Sequence, residues 1–146
     1  MDKKSKIKTR TEEKKEVVID AKGAVLGRMA SFAAKQALRG NSVAVVNAEQ
    51  AVITGRRNIV LDDFLQKMRL GHTAQRGPLV SKMPLSICRR TIRGMIGWKN
   101  SRGKKMFENV RCYEDIPKFY ESSEKITFKP AKGTTLAKLS ALAGQR

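Results

Sequence analysis

Histidine, cysteine and aromatic side chains are scarce in this chain, and each scarcity removes a class of function. The only imidazole is His72, and no carboxylate follows it before Glu108, so a histidine general base has no partner near it in sequence. Cys88 and Cys112 are the two cysteines and do not form a Cys-x-x-Cys pair. Two thiols and one imidazole are too few for a zinc site, and they read as reduced thiols of a cytosolic protein. Neither a metal nor a cofactor is expected. Asp62 and Asp63 adjoin on a helical stretch and therefore point in different directions, which spoils a carboxylate dyad. Aromatics make up 5% of the chain, too few for stacking along a single strand to dominate.

Long apolar runs are missing as well. Nothing approaches the ~18 residues of a membrane-spanning helix, and the basic residues do not lie opposite one broad apolar face. A membrane is not an expected partner. Residues 1–15 lack an apolar core segment, and Asp2, Glu12 and Glu13 argue against a transit peptide, so this stretch reads as a basic mobile tail. Residues 16–146 are of single-domain size, and a hydrophobic content of 40% suffices for one core.

The absence with most consequence is local. From Lys67 to Lys105 there is no acid, while Lys67, Arg69, Arg76, Lys82, Arg89, Arg90, Arg93, Lys99, Arg102, Lys104 and Lys105 contribute eleven positive charges to a formal net charge of +18. At the centre, Arg89-Arg90-Thr91-Ile92-Arg93-Gly94-Met95-Ile96-Gly97-Trp98-Lys99 interleaves cations with apolar residues, as a folded surface does and a disordered polar tail does not. A face of one sign calls for a polyanion. No helix-turn-helix, zinc finger or single-strand platform is visible, so structured RNA, read by shape and phosphate position, is the expected target. His72 and Trp98 lie within the interval and complete the candidate RNA-binding set. Trp98 can stack on a base or a guanidinium, and a core plug is the alternative reading.

Along the chain, residues 16–20 form a β-branched run that reads as a buried strand. Leu26, Met29, Ala30, Ala33 and Ala37 recur at helical spacing before Gly40-Asn41, which predicts a helix over 26–39. Residues 43–47 are apolar without alternation, as in a parallel strand buried on both faces. A shorter strand is expected over 51–54, and a helix over 57–70 with Leu61, Leu65 and Met68 on one side. Residues 71–84 lose periodicity and hold Gly77-Pro78 and Pro84, a long loop of the kind kept for function. A helix follows from Pro84 to about Ile96, with Cys88, Ile92 and Met95 as its apolar stripe and Arg89 and Arg93 beside it. A short helix over 101–108, a fourth strand over 110–113, an extended piece over 126–130 and a helix from about 135 packing through Leu136, Leu139 and Leu142 complete the reading. The pattern is α/β.

Strand, then Gly23-Ala24-Val25-Leu26-Gly27-Arg28, then helix invites a nucleotide-binding reading, because helix N-termini attract phosphate. The fit is poor. The third glycine of a dinucleotide turn is missing, Asn47 stands where an acid would grip a ribose, and the Lys-Ser/Thr of a P-loop is absent. The glycines at 23 and 27 are expected to permit a tight turn and close helix-to-sheet packing instead.

Ile19-Asp20-Ala21-Lys22-Gly23 with Leu26-Gly27-Arg28-Met29-Ala30, residues 45–55, Arg76-Gly77-Pro78, and Arg89-Arg90-Thr91-Ile92-Arg93-Gly94-Met95 together resemble the universal large-ribosomal-subunit protein thirteen family in its archaeal or cytosolic-eukaryotic form. The resemblance spans about residues 17–113. It implies a three-layer α/β/α fold around a four-stranded, mainly parallel sheet with basic loop and helix extensions, and a structural, non-enzymatic role in the large ribosomal subunit. It also implies ribosomal RNA and neighbouring ribosomal proteins as partners, a cytoplasmic, ribosome-bound location, and contact with RNA through the basic loop and the Arg-rich helix within 67–105. A free messenger-RNA-binding repressor, also suggested by the family, is the alternative, and a nucleotide-binding enzyme on a related fold is a third reading. The chain departs from the family at Ile96-Gly97, where Leu-Pro is common, so a more mobile turn before Trp98 is expected. Residues 117–146 match nothing in the family pattern and read as a C-terminal extension.

Overall fold

The computed structural model describes residues 15–70 and 80–144. Strand β1 (Glu16–Asp20) runs into helix α1 (Leu26–Leu38) and then strand β2 (Ser42–Val46). Every apolar position expected to face inward on α1 is buried, and Ala34 joins them. Four alanines on that stripe leave little bulk, which lets a neighbouring helix approach closely. The helix stops where Gly40, at φ 93, lets its N–H reach the Ala37 carbonyl at 2.9 Å, while the Asn41 N–H reaches Gln36 at 3.3 Å. A left-handed glycine here satisfies the last carbonyls of the helix.

Beyond β2 the chain turns through Asn47, the one non-glycine residue with positive φ among those described, into a 3-10 turn over Ala48–Gln50. This diverts strand β3 (Val52–Ile53) out of the main sheet. Helix α2 (Arg57–Arg69) follows, then α3 (Pro84–Ile96), α4 (Ser101–Glu108), β4 (Val110–Cys112), β5 (Lys125–Ile126), β6 (Thr134–Thr135) and α5 (Leu136–Gly144). The main sheet has the order β4-β2-β1-β5, all neighbours parallel, with Val43 opposite Val17 and Val110, and Ile19 opposite Val45 and Ile126. The α/β class and the four-stranded parallel sheet are as expected. The membership differs, because β3 pairs antiparallel with β6 instead, and β5, from the C-terminal segment, takes the outer place beside β1.

The strand period sorts the two faces. Ile19, Val43, Val45, Val110 and Cys112 share a buried cluster with α1, α3 and α5, whereas Val18, Ala44 and Val46 pack with Tyr120, flanked by Tyr113 and Ile116. The second layer is thus a 3-10 turn, Lys118–Tyr120, and its approach rather than a helix. Tyr120 reaches across it to donate its hydroxyl to the Glu16 carboxylate. On α5 the buried residues are Leu136, Leu139 and Ala143. Leu142, expected to pack, is only half-buried, since the stripe closes at i+7 rather than i+6. On α2 only Leu65 is buried, and Leu61 and Met68 are half-buried at its margins.

The first strand-to-helix turn answers the nucleotide question. The Gly23 N–H donates to the Gln50 carbonyl at 3.1 Å, Ala24 donates to Ala21 at 3.0 Å, and Gly23 in turn accepts from Ala131 at 3.0 Å. The Asp20 carboxylate is occupied by the Lys22 N–H at 2.9 Å and Asn47 Nδ2 at 2.8 Å. The amides of Lys22, Gly23 and Ala24 in the turn are thus engaged within the protein itself. Gly23, at φ 67 with Pro130 Cβ 3.2 Å from where its own Cβ would stand, is the tight-turn glycine. Gly27 is not, contrary to expectation: nothing lies within 4 Å of a Cβ there, because it stands on the exposed side of the first turn of α1, opposite the buried Leu26 and Met29.

Candidate nucleic-acid interface

Helix α3 starts on Pro84, which needs no N–H partner in a first turn, and ends on Gly97 in the left-handed region. Its buried stripe is Cys88, Ile92 and Ile96. Met95 is not part of it, being 43% exposed. Residues four apart form the inward ridge, and Met95 sits to one side of that ridge, where the cover of neighbouring helices ends. Cys88 lies on the core side with its Sγ 3.9 Å from that of Cys112. The hydrogen bond to Cys112 and burial both push the Cys88 thiol above its ordinary range, so it stays protonated and apolar in character.

The turn at Gly97 folds α4 back against the end of α3. Gly103, buried on α4, is packed so close that an added Cβ would stand 2.5 Å from the Gly97 carbonyl oxygen and 3.1 Å from Trp98 Cα. The Gly97 carbonyl also accepts from the Asn100 N–H at 3.3 Å. The turn is therefore closely packed from outside by α4. Its geometry brings two rings under two guanidinium groups: Arg89 lies over Phe107 at 5.0 Å and Arg93 over Trp98 at 4.7 Å. A cation placed over a ring in this way is attracted by the ring's π face. Among the described residues no carboxylate pairs with either arginine.

Of the candidate RNA-binding residues, Lys67, Arg69, Lys82, Arg89, Arg90, Lys99, Arg102, Lys104 and Lys105 are exposed, Arg93 is half-buried and Trp98 is 39% exposed. Trp98 is thus a surface ring under a guanidinium, not a core plug. His72 and Arg76 lie outside the described residues. Arg89, Arg90 and Arg93 are brought together on one cavity, whereas Arg69 lines a different one with Asp62, Leu65, Gln66 and Leu70. Two residues of the surface were missed by the sequence reading. Phe107 supplies a wall, and its spacing from Gly103 along α4 was the available signal; Arg111 lines an adjoining cavity with Arg89 and lies outside the acid-free interval.

None of α1 to α4 has a side-chain N-cap or an acid in its first turn. Helix starts of this kind keep their positive ends unneutralised. No group of three or more metal-ligating side chains occurs among the described residues, and no described helix is long and apolar enough to cross a membrane.

Comparison with known proteins agrees with this geometry. The sequence profile of the family described as Ribosomal protein L13 matches residues 14–118. The chain belongs to the ribosomal protein L13 family. Among its relatives are proteins named large ribosomal subunit protein uL13. That of Methanopyrus kandleri is 43% identical over 73% of this chain, and this chain spans 66% of its length. That of Natronomonas pharaonis is 43% identical over 86% of this chain and 81% of its own, and that of Methanocaldococcus jannaschii 41% over 84% and 93%. The family match ends at residue 118, so β5, β6 and α5 lie beyond it although Leu136 and Leu139 belong to the same buried cluster as Ile19.

Proposed function

We propose that the chain is a structural, non-catalytic constituent of the large ribosomal subunit, working in the cytoplasm and binding structured ribosomal RNA through the surface of α3 and α4. Neighbouring ribosomal proteins are its other partners. The single observation that supports this reading is the convergence of Arg89, Arg90 and Arg93 on one cavity lined by no acid among the described residues, with Arg89 over Phe107 and Arg93 over Trp98. In this reading residues 16–146 act as one α/β unit, with 1–15 as a basic tail and 117–146 as an extension. Residues 67–105, His72 and Arg76 included, form the RNA-facing region.

Filter binding to large-subunit RNA across salt concentrations tests it. If about half of the eleven cations between Lys67 and Lys105 meet phosphates, log K falls with log salt at a slope of roughly −4, a loss of about two to three decades from 50 to 200 mM. A slope near zero refutes it. Messenger RNA would meet the same surface, and the two partners separate on a gradient: the chain sediments with large subunits in the first case and stays in the ribosome-free fraction in the second.

A further inference from the structure

We propose that the cavity between α3 and α4 receives a single unstacked nucleotide, its base lying on the Arg89 guanidinium and its phosphate held by Arg90 and Arg93. The inference rests on the reading of this surface as RNA-binding and names what it recognises. The cavity has a volume of about 330 Å3 and is lined by Leu85, Ser86, Arg89, Arg90, Arg93 and Phe107. That is at the small end of the range for ligand pockets. Its walls match what one nucleotide presents: two cations for a phosphate, a third to lie against a base, a hydroxyl for a base or sugar edge, and two apolar side chains. No acid among the described residues lines it. Glu108, next to Phe107 in sequence, lines the adjoining cavity with Arg89, Arg111 and Tyr113.

The arrangement of Arg89 is what distinguishes a receptor from a general basic face. The Arg89 guanidinium carbon lies 5.0 Å from the centre of the Phe107 ring, and the two side chains line the same cavity. A base entering on the side of Arg89 away from Phe107 completes a three-layer stack of ring, guanidinium and base. Arg93, held over Trp98 at 4.7 Å, lines the same cavity, and its guanidinium supplies N–H donors for phosphate oxygens. A base paired within an A-form duplex cannot enter such a recess, because its faces are already stacked. The recess therefore selects bulged or looped-out nucleotides.

The test uses the full chain and two RNA hairpins identical except for one unpaired adenosine in the stem of the first, compared by filter binding at about 150 mM salt. The bulged hairpin is expected to bind at least about tenfold more tightly, as one base stack supplies. Arg89→Lys, which keeps the charge and loses the plane, and Phe107→Leu, which keeps apolar packing and loses the ring, are each expected to reduce that preference to under about twofold. Thermal melts establish that each variant is folded, and Arg89→Lys decides if Phe107→Leu is not. Equal binding of both hairpins by the unaltered chain overturns the receptor while leaving the RNA surface standing. Binding of neither hairpin removes the RNA surface itself. A preference that persists in both variants places the receptor elsewhere and overturns the assignment, as does displacement of the bulged hairpin by free AMP below about 0.1 mM, an affinity on the scale of a soluble-nucleotide site.

Discussion

Alanine placed at Gly103 and at Gly94 should move stability in opposite directions, although both are glycines inside helices. In isolation each change favours the helix by about 0.8–1.0 kcal/mol, because alanine loses less backbone entropy. At Gly94 nothing lies within 4 Å of the new Cβ, so that gain is expected in full and the melting temperature rises by about 2–4 °C. At Gly103 the Cβ would stand 2.5 Å from the Gly97 oxygen, 2.9 Å from the Gly97 carbonyl carbon and 3.1 Å from Trp98 Cα. All three are backbone atoms, so no rotamer relieves the overlap and α4 must lift away. Overpacking of this kind costs about 1–3 kcal/mol. Taken at its upper end and set against the helix gain, it leaves a net loss of roughly 2 kcal/mol, or about 4–8 °C. Phe107 moves with α4 and away from Arg89, so Gly103→Ala should also weaken RNA binding at temperatures far below its melt. Circular-dichroism melts with filter binding at 25 °C provide both readouts. If Gly103→Ala raised the melting temperature as Gly94→Ala does, α4 would not be seated on the Gly97 turn and the account of the interface would fail.

Ile92, fully buried, should cost about 2–5 kcal/mol as alanine through the cavity left. Arg89→Ala with Arg93→Ala should instead lose roughly 1–2 kcal/mol, two ring contacts' worth, and flatten the salt slope by about one to two units; a double variant that bound RNA with the original slope would remove these arginines from the interface. Asn47→Ala gives up the bond to Asp20 and places a Cβ-bearing residue without a local partner at φ 56, for an expected loss of about 2–4 kcal/mol by chemical denaturation, whereas an unchanged midpoint would show the turn tolerates any residue. Gly23→Val should lose roughly 1–3 kcal/mol from its left-handed backbone, while Gly27→Val, in open space, should stay within about 1 kcal/mol of the original on the same melts.

Where a local period decides an element, the sequence showed it. The alanine stripe of α1, the unbroken apolar run of β2 and the proline start of α3 all appear where expected. What escaped depends on distant chain. The extended piece expected over 126–130 is a strand only at Lys125-Ile126, because there alone it lies beside Val18 and Ile19 of β1. Val52-Ile53 reads as a strand correctly but joins β6, since the left-handed backbone of Asn47 turns the chain away from the sheet. The closely packed glycines tell the same story: Gly133, whose Cβ would stand 2.3 Å from the Ile53 oxygen, is indistinguishable in sequence from Gly94. At the interface, charge was legible because it is additive along the chain. Phe107 was not, because its role exists only once the Gly97 turn has brought α4 beside α3.

The pairing of β1 with β5 has a consequence for how the chain comes into being. Ile19 is made long before its strand partner Ile126, and Leu136 and Leu139 of α5 join the buried cluster of Ile19 later still. At about 5–20 residues per second of synthesis, β1 waits roughly 5–20 s for its outer neighbour. Over that interval its edge is open and the acid-free helix is already translated, so the newborn chain presents a sticky strand and a strong cation together. Contacts so distant in sequence also slow closure after release. Early capture of the cation by RNA, or of the edge by a chaperone, would shield the chain until β5 and α5 close over β1.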